Sequence, residues 1–225
     1  MNPLVIYEDN HILVALKPFG MPSQEDDSKD PDMLSWVKNY VKEKYQKPGE
    51  VYIGLLHRLD RVAGGLMVFA RTSKAASRLS EQIRSRSLEK TYQVVIEGIP
   101  RNKEGVLEDY LRKDTLKNKV SPVSKNQKDA KFARLSYRTL LTKQKLSLLE
   151  IDLETGRAHQ IRVQFSSRGN PIFGDAKYGS QNPRPVIALW SYRLRFIHPT
   201  KKEPMEFSAS PSVYLRRIYP WDEFQ

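Results

Sequence analysis

The sequence predicts an α+β fold, in which a mostly antiparallel or mixed sheet is flanked by a few helices. Most of the chain consists of short apolar runs with period-two alternation, bounded by turn residues, which is the pattern of strands. Only a few segments have helical spacing, and they do not alternate with strands as parallel β-α-β units require. The 225 residues are enough to bury a substantial core as one domain or two small lobes.

The strands are predicted from alternating apolar side chains. In the segment 90–98, for example, Tyr92, Val94 and Ile96 share one face. The first two strands should form a hairpin around a turn at residues 8–10. The predicted strands span residues 4–7, 11–16, 66–70, 90–98, 107–111, 132–141, 145–153, 186–198 and 203–209.

Three segments have apolar residues at helical spacing, and a fourth can form a short helix. These segments are 32–46, 72–86, 158–168 and 212–219. Asp32 is expected to cap the first helix and Thr72 or Ser73 the second, because their side-chain oxygens can accept from N–H groups of the first turn. Gly169 is expected to end the third helix. Residues 112–131 are rich in Lys, Asn and Ser, so we expect a loop there.

The chain is strongly basic, with 38 Lys and Arg against 26 Asp and Glu, and a formal charge of +12. The positive charge is concentrated, because residues 111–146 contain eleven Lys or Arg and two Asp, whereas acids crowd into residues 25–32. A basic run is often only a solvated surface. Its polarisation here favours a face that contacts the phosphates of a polyanion.

Several classes of protein are excluded by composition. The absence of cysteine rules out disulfides, thiol catalysis and zinc sites with cysteine ligands. The four histidines lack the spacing of a metal site. No N-terminal signal is present, and no apolar run reaches the roughly 18 residues of a membrane span. We therefore expect a cytoplasmic protein without membrane contact or metal.

One acid lies in a distinctive segment, LLHRLDRVAGGLMVFAR at residues 55–71. Asp60 falls between Arg58 and Arg61, in a loop that leads into a strand, and loops on a rigid scaffold often present reactive groups. Two flanking arginines favour the ionised carboxylate, which suits a nucleophile or base better than a general acid. An acid between two arginines is, however, most often a surface ion pair, and the residues alone leave both interpretations open.

Several blocks resemble the RluA-type RNA pseudouridine synthases. They are KPFGMP at 17–22, HRLDR followed by GGLMVFAR at 57–71, KTY at 90–92, and TGRAHQIRVQFSSRGNPIFGDAKYG at 155–179. The resemblance implies the fold of that family, two lobes on one continuous sheet with a central cleft. It also implies a single catalytic domain over residues 1–225, without the S4 domain that some relatives carry.

The resemblance implies isomerisation of uridine to pseudouridine within RNA, with no cofactor. Asp60 would be the catalytic aspartate, acting as nucleophile at C1′ of the ribose or as base at C2′. Arg162 would form an ion pair with that aspartate through its planar fork. Tyr92 would lie against the target base, on which a phenol ring can stack. Asp60, Tyr92 and Arg162 are thus the predicted catalytic residues.

Seven further residues are assigned to RNA binding. Arg58 is expected to help fill the space that a flipped uridine vacates. The seven are His57, Arg58, Arg61, Lys90, Arg157, His159 and Gln160. The expected partner is a stem-loop of ribosomal or transfer RNA, bound by a monomer.

Two departures from the family pattern bear on substrate choice. Residues 62–65, VAGG, replace a T-S-G sequence that is common there, and Gln164 replaces a common histidine. Two alternative functions remain open. One is an RNA-binding protein that has lost catalysis on the same fold, and the other is a hydrolase that uses Asp60 to release the base.

Overall fold

The computed structural model describes residues 2–215 and 219–224. Within these residues the fold has eleven strands and few helices, which confirms the predicted α+β class. The strands are β1 (Leu4–Glu8), β2 (Ile12–Lys17), β3 (Gly54–Leu55), β4 (Gly64–Ala70), β5 (Glu89–Glu97), β6 (Glu104–Asp114), β7 (Lys119–Val123), β8 (Lys131–Lys143), β9 (Leu146–Leu153), β10 (Leu189–Ile197) and β11 (Pro204–Ser208). The α-helices are α1 (Met33–Lys44), α2 (Ser73–Arg84), α3 (Gln160–Ser166) and α4 (Pro211–Tyr214), and short 3-10 helices span Ala176–Tyr178 and Trp221–Phe224.

The chain divides into two compact units. Unit 1 contains residues 1–89 and 193–209, and unit 2 contains residues 90–192 and 210–225. Strand β10 contributes its last five residues to unit 1 and its first four to unit 2.

The strands of unit 1 pair in antiparallel fashion. β2 lies between β1 and β4, and β3 pairs with β4. The predicted hairpin of β1 and β2 is confirmed, and its turn is fixed by Asp9, which accepts from the backbone N–H groups of His11 and Ile12 at 2.8 and 2.9 Å. Every residue of β2 and β4 is buried, so both faces of these strands are covered.

Two helices of unit 1 begin where the sequence predicts. Asp32 accepts from the N–H of Ser35 at 3.0 Å and caps α1. Thr72 accepts from the N–H of Ala75 at 3.1 Å and caps α2. Each cap satisfies one of the N–H groups that have no partner inside the first helical turn.

Unit 2 is built on five antiparallel strands. β9 lies between β5 and β8, β8 also pairs with β6, and β6 pairs with β7. A buried cluster joins three of these strands to α3 and the 3-10 helix that follows it. Its members are Leu111, Val120, Ala133, Val163 and Tyr178.

The prediction for residues 107–131 was partly wrong. The short strand predicted at 107–111 is confirmed and lies inside the longer β6. The loop predicted at 112–131 is wrong in its first part, because β6 continues to Asp114 and forms a hairpin with β7 in the register Asp114↔Lys119. The reason is that most side chains of the hairpin are exposed, so it lacks the apolar alternation used to identify strands. Backbone hydrogen bonds pair the two strands without such side chains.

Helix α3 is shorter than the predicted 158–168. His159 has φ 50°, in the left-handed region, so regular helix starts only at Gln160. Of the short C-terminal helix predicted at 212–219, residues 212–214 are helical, as part of α4, and residues 215 and 219 are not; residues 216–218 lie outside the described part of the chain. Among the described helices, none is both long enough and apolar enough to cross a membrane.

Candidate active site

In unit 1, the segment 17–23, which begins at the last residue of β2, fixes the backbone on both sides of Asp60. The hydroxyl of Ser23 donates to the carbonyl of Leu59 at 2.8 Å and accepts from the N–H of Leu59 at 3.0 Å. The N–H of Gly20 donates to the carbonyl of Arg61 at 2.8 Å. These contacts join segments about forty residues apart in the chain, so the aspartate is held by a rigid frame.

Asp60 itself is half-buried in the turn before β4. Its carbonyl accepts from the N–H of Ala63 at 3.0 Å, which closes the turn, and β4 begins at Gly64. The predicted position in a loop between two strands is confirmed, since the residue lies between β3 and β4.

A buried lysine lies next to this turn. None of the Lys17 side chain is exposed, and its Nζ donates to the carbonyls of Pro18 at 2.9 Å, Met21 at 2.7 Å and Arg61 at 3.3 Å. Burial lowers the pKa of Lys17 to about 7, and the nearby carboxylate of Asp60 opposes part of that shift. In its protonated form the Lys17 side chain therefore both holds the loop and places a positive charge near Asp60.

The neighbours of Asp60 in sequence have separate contacts. Arg61 donates to both oxygens of Asp26 at 2.9 Å and also to Asp30, so its guanidinium binds the acidic loop. Hydrogen bonds from Ser28 and Arg61 lower the pKa of Asp26 to about 2.

His57 and Arg58 differ in exposure. The Nε2 of His57 accepts from the N–H of Val68 at 3.1 Å, so this ring nitrogen carries no proton and serves the backbone of β4. Arg58 is exposed. Of the two, Arg58 has the greater access to an RNA ligand.

In unit 2, Arg162 is held in a buried ion pair. Its Nε donates to Oδ2 of Asp175 at 2.7 Å, and its Nη2 donates to Oδ1 at 2.8 Å. The exposed fractions of the two side chains are 6% and 1%. This bidentate contact fixes the plane of the guanidinium.

Tyr178 completes the surroundings of Arg162. The guanidinium carbon lies 5.0 Å from the centre of the Tyr178 ring, within the range of a cation–π contact. The Tyr178 hydroxyl accepts from the N–H of Val120 at 2.9 Å and lies 2.8 Å from Nδ1 of His159. Because the hydroxyl accepts from a backbone N–H, its own proton can point to His159. His159 and Arg162 thus both contact Tyr178.

Arg157 and Gln160, two predicted RNA-binding residues, make contacts within unit 2. Gln160 is buried. Its Oε1 accepts from the Thr155 hydroxyl at 2.8 Å and from the N–H of Arg157 at 3.1 Å, while its Nε2 donates to the carbonyl of Arg134 at 3.1 Å. Arg157 is exposed and donates through Nε to the carbonyl of Phe132 at 2.8 Å. Gln160 thus fixes the turn before α3, and Arg157 keeps the rest of its guanidinium at the surface.

Tyr92 and Lys90 lie at the start of β5. Tyr92 is opposite Ile151 of β9 and is 6% exposed. Lys90 is half-buried, and burial lowers its pKa. A side chain at Gly156 would have its Cβ 3.5 Å from the Lys90 Nζ, which places this lysine beside the GRAHQIR turn.

Gln164, the departure from the family's histidine, is fully buried. Its Nε2 donates to the carbonyl of Leu107 at 3.2 Å and to Asp109 at 2.7 Å. Asp109 also accepts from Arg168 at 2.9 Å. Gln164 thus attaches α3 to β6.

Three residues of these surroundings were not predicted from the sequence. Lys17, Asp175 and Tyr178 all lie in blocks whose resemblance to the family is visible, KPFGMP and GDAKYG. For Lys17 and Asp175, the signal that sequence reasoning passed over was a charged residue inside an otherwise apolar or glycine-rich block. Tyr178 had no comparable signal.

A model of the RNA pseudouridylate synthase family matches residues 11–167 of the chain. The match includes the turn that carries Asp60, the strand that carries Tyr92 and all of α3. The chain belongs to the RNA pseudouridylate synthase family. The predicted resemblance is thereby confirmed, and so is the predicted class of activity, since RNA pseudouridine synthases are isomerases.

Curated relatives of this family match nearly the whole chain. An uncharacterized RNA pseudouridine synthase of Aquifex aeolicus (strain VF5) is 32% identical over 234 residues, which cover 97% of this chain and 72% of the relative. Ribosomal large subunit pseudouridine synthase D of Zymomonas mobilis is 31% identical over 227 residues, which cover 96% and 71%. The chain therefore spans less than three quarters of the length of either relative.

Solved structures of the family share the fold. Human RNA Pseudouridylate Synthase Domain Containing 4 superposes with a TM-score of 0.76 at 22% identity, over 92% of this chain and 88% of the human chain. Human RNA Pseudouridylate Synthase Domain Containing 1 gives a TM-score of 0.72 at 21% identity, over 94% and 86%. At this level of identity the likeness concerns the fold alone.

Proposed function

We propose that this chain converts uridines of RNA to pseudouridine, with Asp60 acting on the ribose of the target nucleotide. The observation that carries the proposal is the HRLD turn. The turn contains one acid, Asp60. The backbone on either side of it is fixed by hydrogen bonds from Ser23 to Leu59 and from Gly20 to Arg61, in a chain that belongs to this family.

The reaction needs one carboxylate and no further reactant. The bond from N1 to C1′ breaks, the base rotates, and a bond from C5 to C1′ forms. The C5 proton leaves and N1 gains a proton, so substrate and product have the same composition. Asp60 takes part either as nucleophile at C1′ or as base at C2′. A glycoside hydrolase, by contrast, typically uses a pair of carboxyl groups.

Arg162 and Tyr92 are proposed to complete the catalytic set. Arg162 would hold the carboxylate of Asp60, and the bidentate contact to Asp175 fixes the plane of its guanidinium for that role. Tyr92, at the start of β5, would stack on the uracil.

The proposed partner is a stem-loop of ribosomal or transfer RNA. Relatives whose names specify a substrate act on the large ribosomal subunit, which favours ribosomal RNA. Reaching a base inside folded RNA requires flipping it out, and exposed Arg58 would fill the vacated space. Lys90, Arg157 and the basic residues of 111–146 would contact phosphates. His57 and Gln160 would act by fixing the adjacent backbone, and His159 by fixing the Tyr178 hydroxyl. We propose that the protein acts as a monomer in the cytoplasm.

The test is a map of pseudouridines in total RNA from cells with and without the gene. At least one uridine should lose its modification in the deletion strain and regain it when the gene is restored. An unchanged map would contradict the proposal. Free uracil in reactions with the purified protein would instead indicate the hydrolase, and RNA binding without either product would indicate an inactive relative.

A further inference from the structure

The tip of the β6–β7 hairpin presents an apolar side chain to solvent among positive charges. Residues 112–119 are all exposed, and Leu116, at the tip, is 98% exposed. Residues 111–125 contain five Lys or Arg and one Asp. Tight turns of this kind are dominated by Gly, Pro, Asn, Asp and Ser, so the leucine is not required by the turn itself.

The turn that carries Leu116 has a defined conformation. The carboxylate of Asp114 accepts from the N–H of Lys117 at 3.0 Å, and the N–H of Asn118 donates to the carbonyl of Thr115 at 3.4 Å. Asn118 has φ 44°, in the left-handed region that asparagine tolerates well. The backbone therefore holds Leu116 outward.

The base of the hairpin is anchored in the core of unit 2. Leu111 and Val120 flank the exposed residues and are each 2% exposed, in one cluster with Tyr178. The Tyr178 hydroxyl accepts from the N–H of Val120, and Lys177 donates to the carbonyl of Asn118 at 3.1 Å. The exposed tip of the hairpin is thus held at its base by the core of unit 2.

We propose that Leu116 inserts as an apolar wedge between stacked bases of the RNA, while Lys113, Lys117 and Lys119 contact the phosphates beside it. That the bound RNA is also the substrate rests on the proposed function. Proteins that bend nucleic acids use side chains such as Leu, Ile, Met and Phe to unstack base steps next to basic contacts. A single exposed leucine needs no explanation by itself. The lysines around it and the anchored turn are what indicate a nucleic acid.

The test compares Leu116→Ser with Leu116→Met, which keeps an apolar side chain, and with Ile99→Ser as the matched control. Ile99 is 64% exposed and lies in unit 2 outside the hairpin. Because all these side chains are exposed, the variants should fold like the parent. The probe is total RNA from a strain that lacks the gene. The first readout is the rate of pseudouridine formation, and the second is the dimethyl sulfate reactivity of bases in RNA bound by Asp60→Asn protein, with and without each change.

Leu116→Ser should slow the reaction about tenfold and remove reactive bases that the parent protein exposes, given the usual contribution of base contacts. Leu116→Met should restore both, and Ile99→Ser should change neither. Lys117→Gln should reduce the salt dependence of binding by about 0.7 in the logarithmic slope, whereas Leu116→Ser should leave that slope unchanged.

An unchanged rate and an unchanged reactivity pattern in Leu116→Ser would overturn the wedge. Loss of binding to anionic phospholipid vesicles, with RNA results unchanged, would also overturn it and assign the tip to a membrane surface. If the parent forms no pseudouridine but its reactivity pattern depends on Leu116, the proposed function fails and the wedge stands. If the parent is active and Leu116 has no effect, only the wedge fails.

Discussion

At the scale of single residues, a buried lysine lies beside the proposed catalytic acid. Lys17 donates to three carbonyls, one of them that of Arg61, which follows Asp60. Burying the charge of Lys17 costs free energy, but the ammonium group supplies the hydrogen bonds that hold the loop. The protonation of Lys17 therefore affects the hydrogen bonds that hold the HRLD turn.

Lys17 should make stability depend on pH. The folded chain has a Lys17 pKa of about 7 against 10.5 for an unperturbed lysine, so between these values the unfolded chain binds the extra proton. Stability from this residue should then rise with pH, by about 1.4 kcal/mol per unit at most, and be lost as pH falls toward 7. Urea unfolding of the parent and of Lys17→Met at pH 6, 7, 8 and 9 measures this difference. If the difference in unfolding free energy between parent and variant stays constant over this pH range, the pKa of Lys17 is not lowered in the folded protein.

The pair of Arg162 and Asp175 should be important for stability as well as for activity. Asp175→Ala would remove one partner of a buried ion pair, which typically costs about 3–5 kcal/mol. Thermal unfolding and the rate of pseudouridine formation should both fall. Glu81→Ala is the matched control, because it removes an ion pair in which both side chains are mostly exposed. Equal effects of the two changes would contradict the special role of the buried pair.

At the scale of elements, the loop at 17–23 acts as a brace for the turn at 59–61. Ser23 satisfies both the N–H and the carbonyl of Leu59, which is buried. Without the hydroxyl, two buried backbone groups would lose their partner. The brace is what links the N-terminal block of the family to the acid 38 residues later in the chain.

Ser23→Ala should therefore destabilise the protein by about 1–3 kcal/mol, the usual cost of unsatisfied buried groups. Because the change frees the backbone at Asp60, kcat should fall more than KM rises. Chemical denaturation and steady-state kinetics would show this. Ser35→Ala, on the exposed side of α1, should have little effect. A normal kcat in Ser23→Ala would mean that the brace does not position Asp60.

Elements with strong local signals were predicted well from the sequence. The starts of α1 and α2 were found because Asp32 and Thr72 are capping residues directly before an apolar pattern. The β6–β7 hairpin was missed because its pairing depends on backbone contacts between exposed strands. The start of α3 was placed too early because His159 has a left-handed φ, which the spacing of apolar residues does not reveal.

At the scale of the whole molecule, the fold class and the family could be predicted from the sequence, whereas the contacts that hold the site residues in place could not. Asp60 and Arg162 lie in the motifs HRLDR and GRAHQIR, whose sequences alone indicate the family. The brace from Ser23 to Leu59 and the contacts of Lys17 join segments distant in the chain, and no local pattern encodes them. The same holds for Tyr178, whose hydroxyl reaches Val120, 58 positions earlier.

The most direct test of the proposed function replaces Asp60 with Asn in the purified protein. The substitution keeps the size of the side chain but removes the charge needed by a nucleophile or a base, so pseudouridine formation should be lost. The assay is single-turnover conversion of uridine in total RNA from a strain that lacks the gene, with RNA binding and thermal unfolding measured on the same preparation. We expect binding and folding close to those of the parent and no detectable pseudouridine. Pseudouridine formation at the rate of the parent would contradict the account.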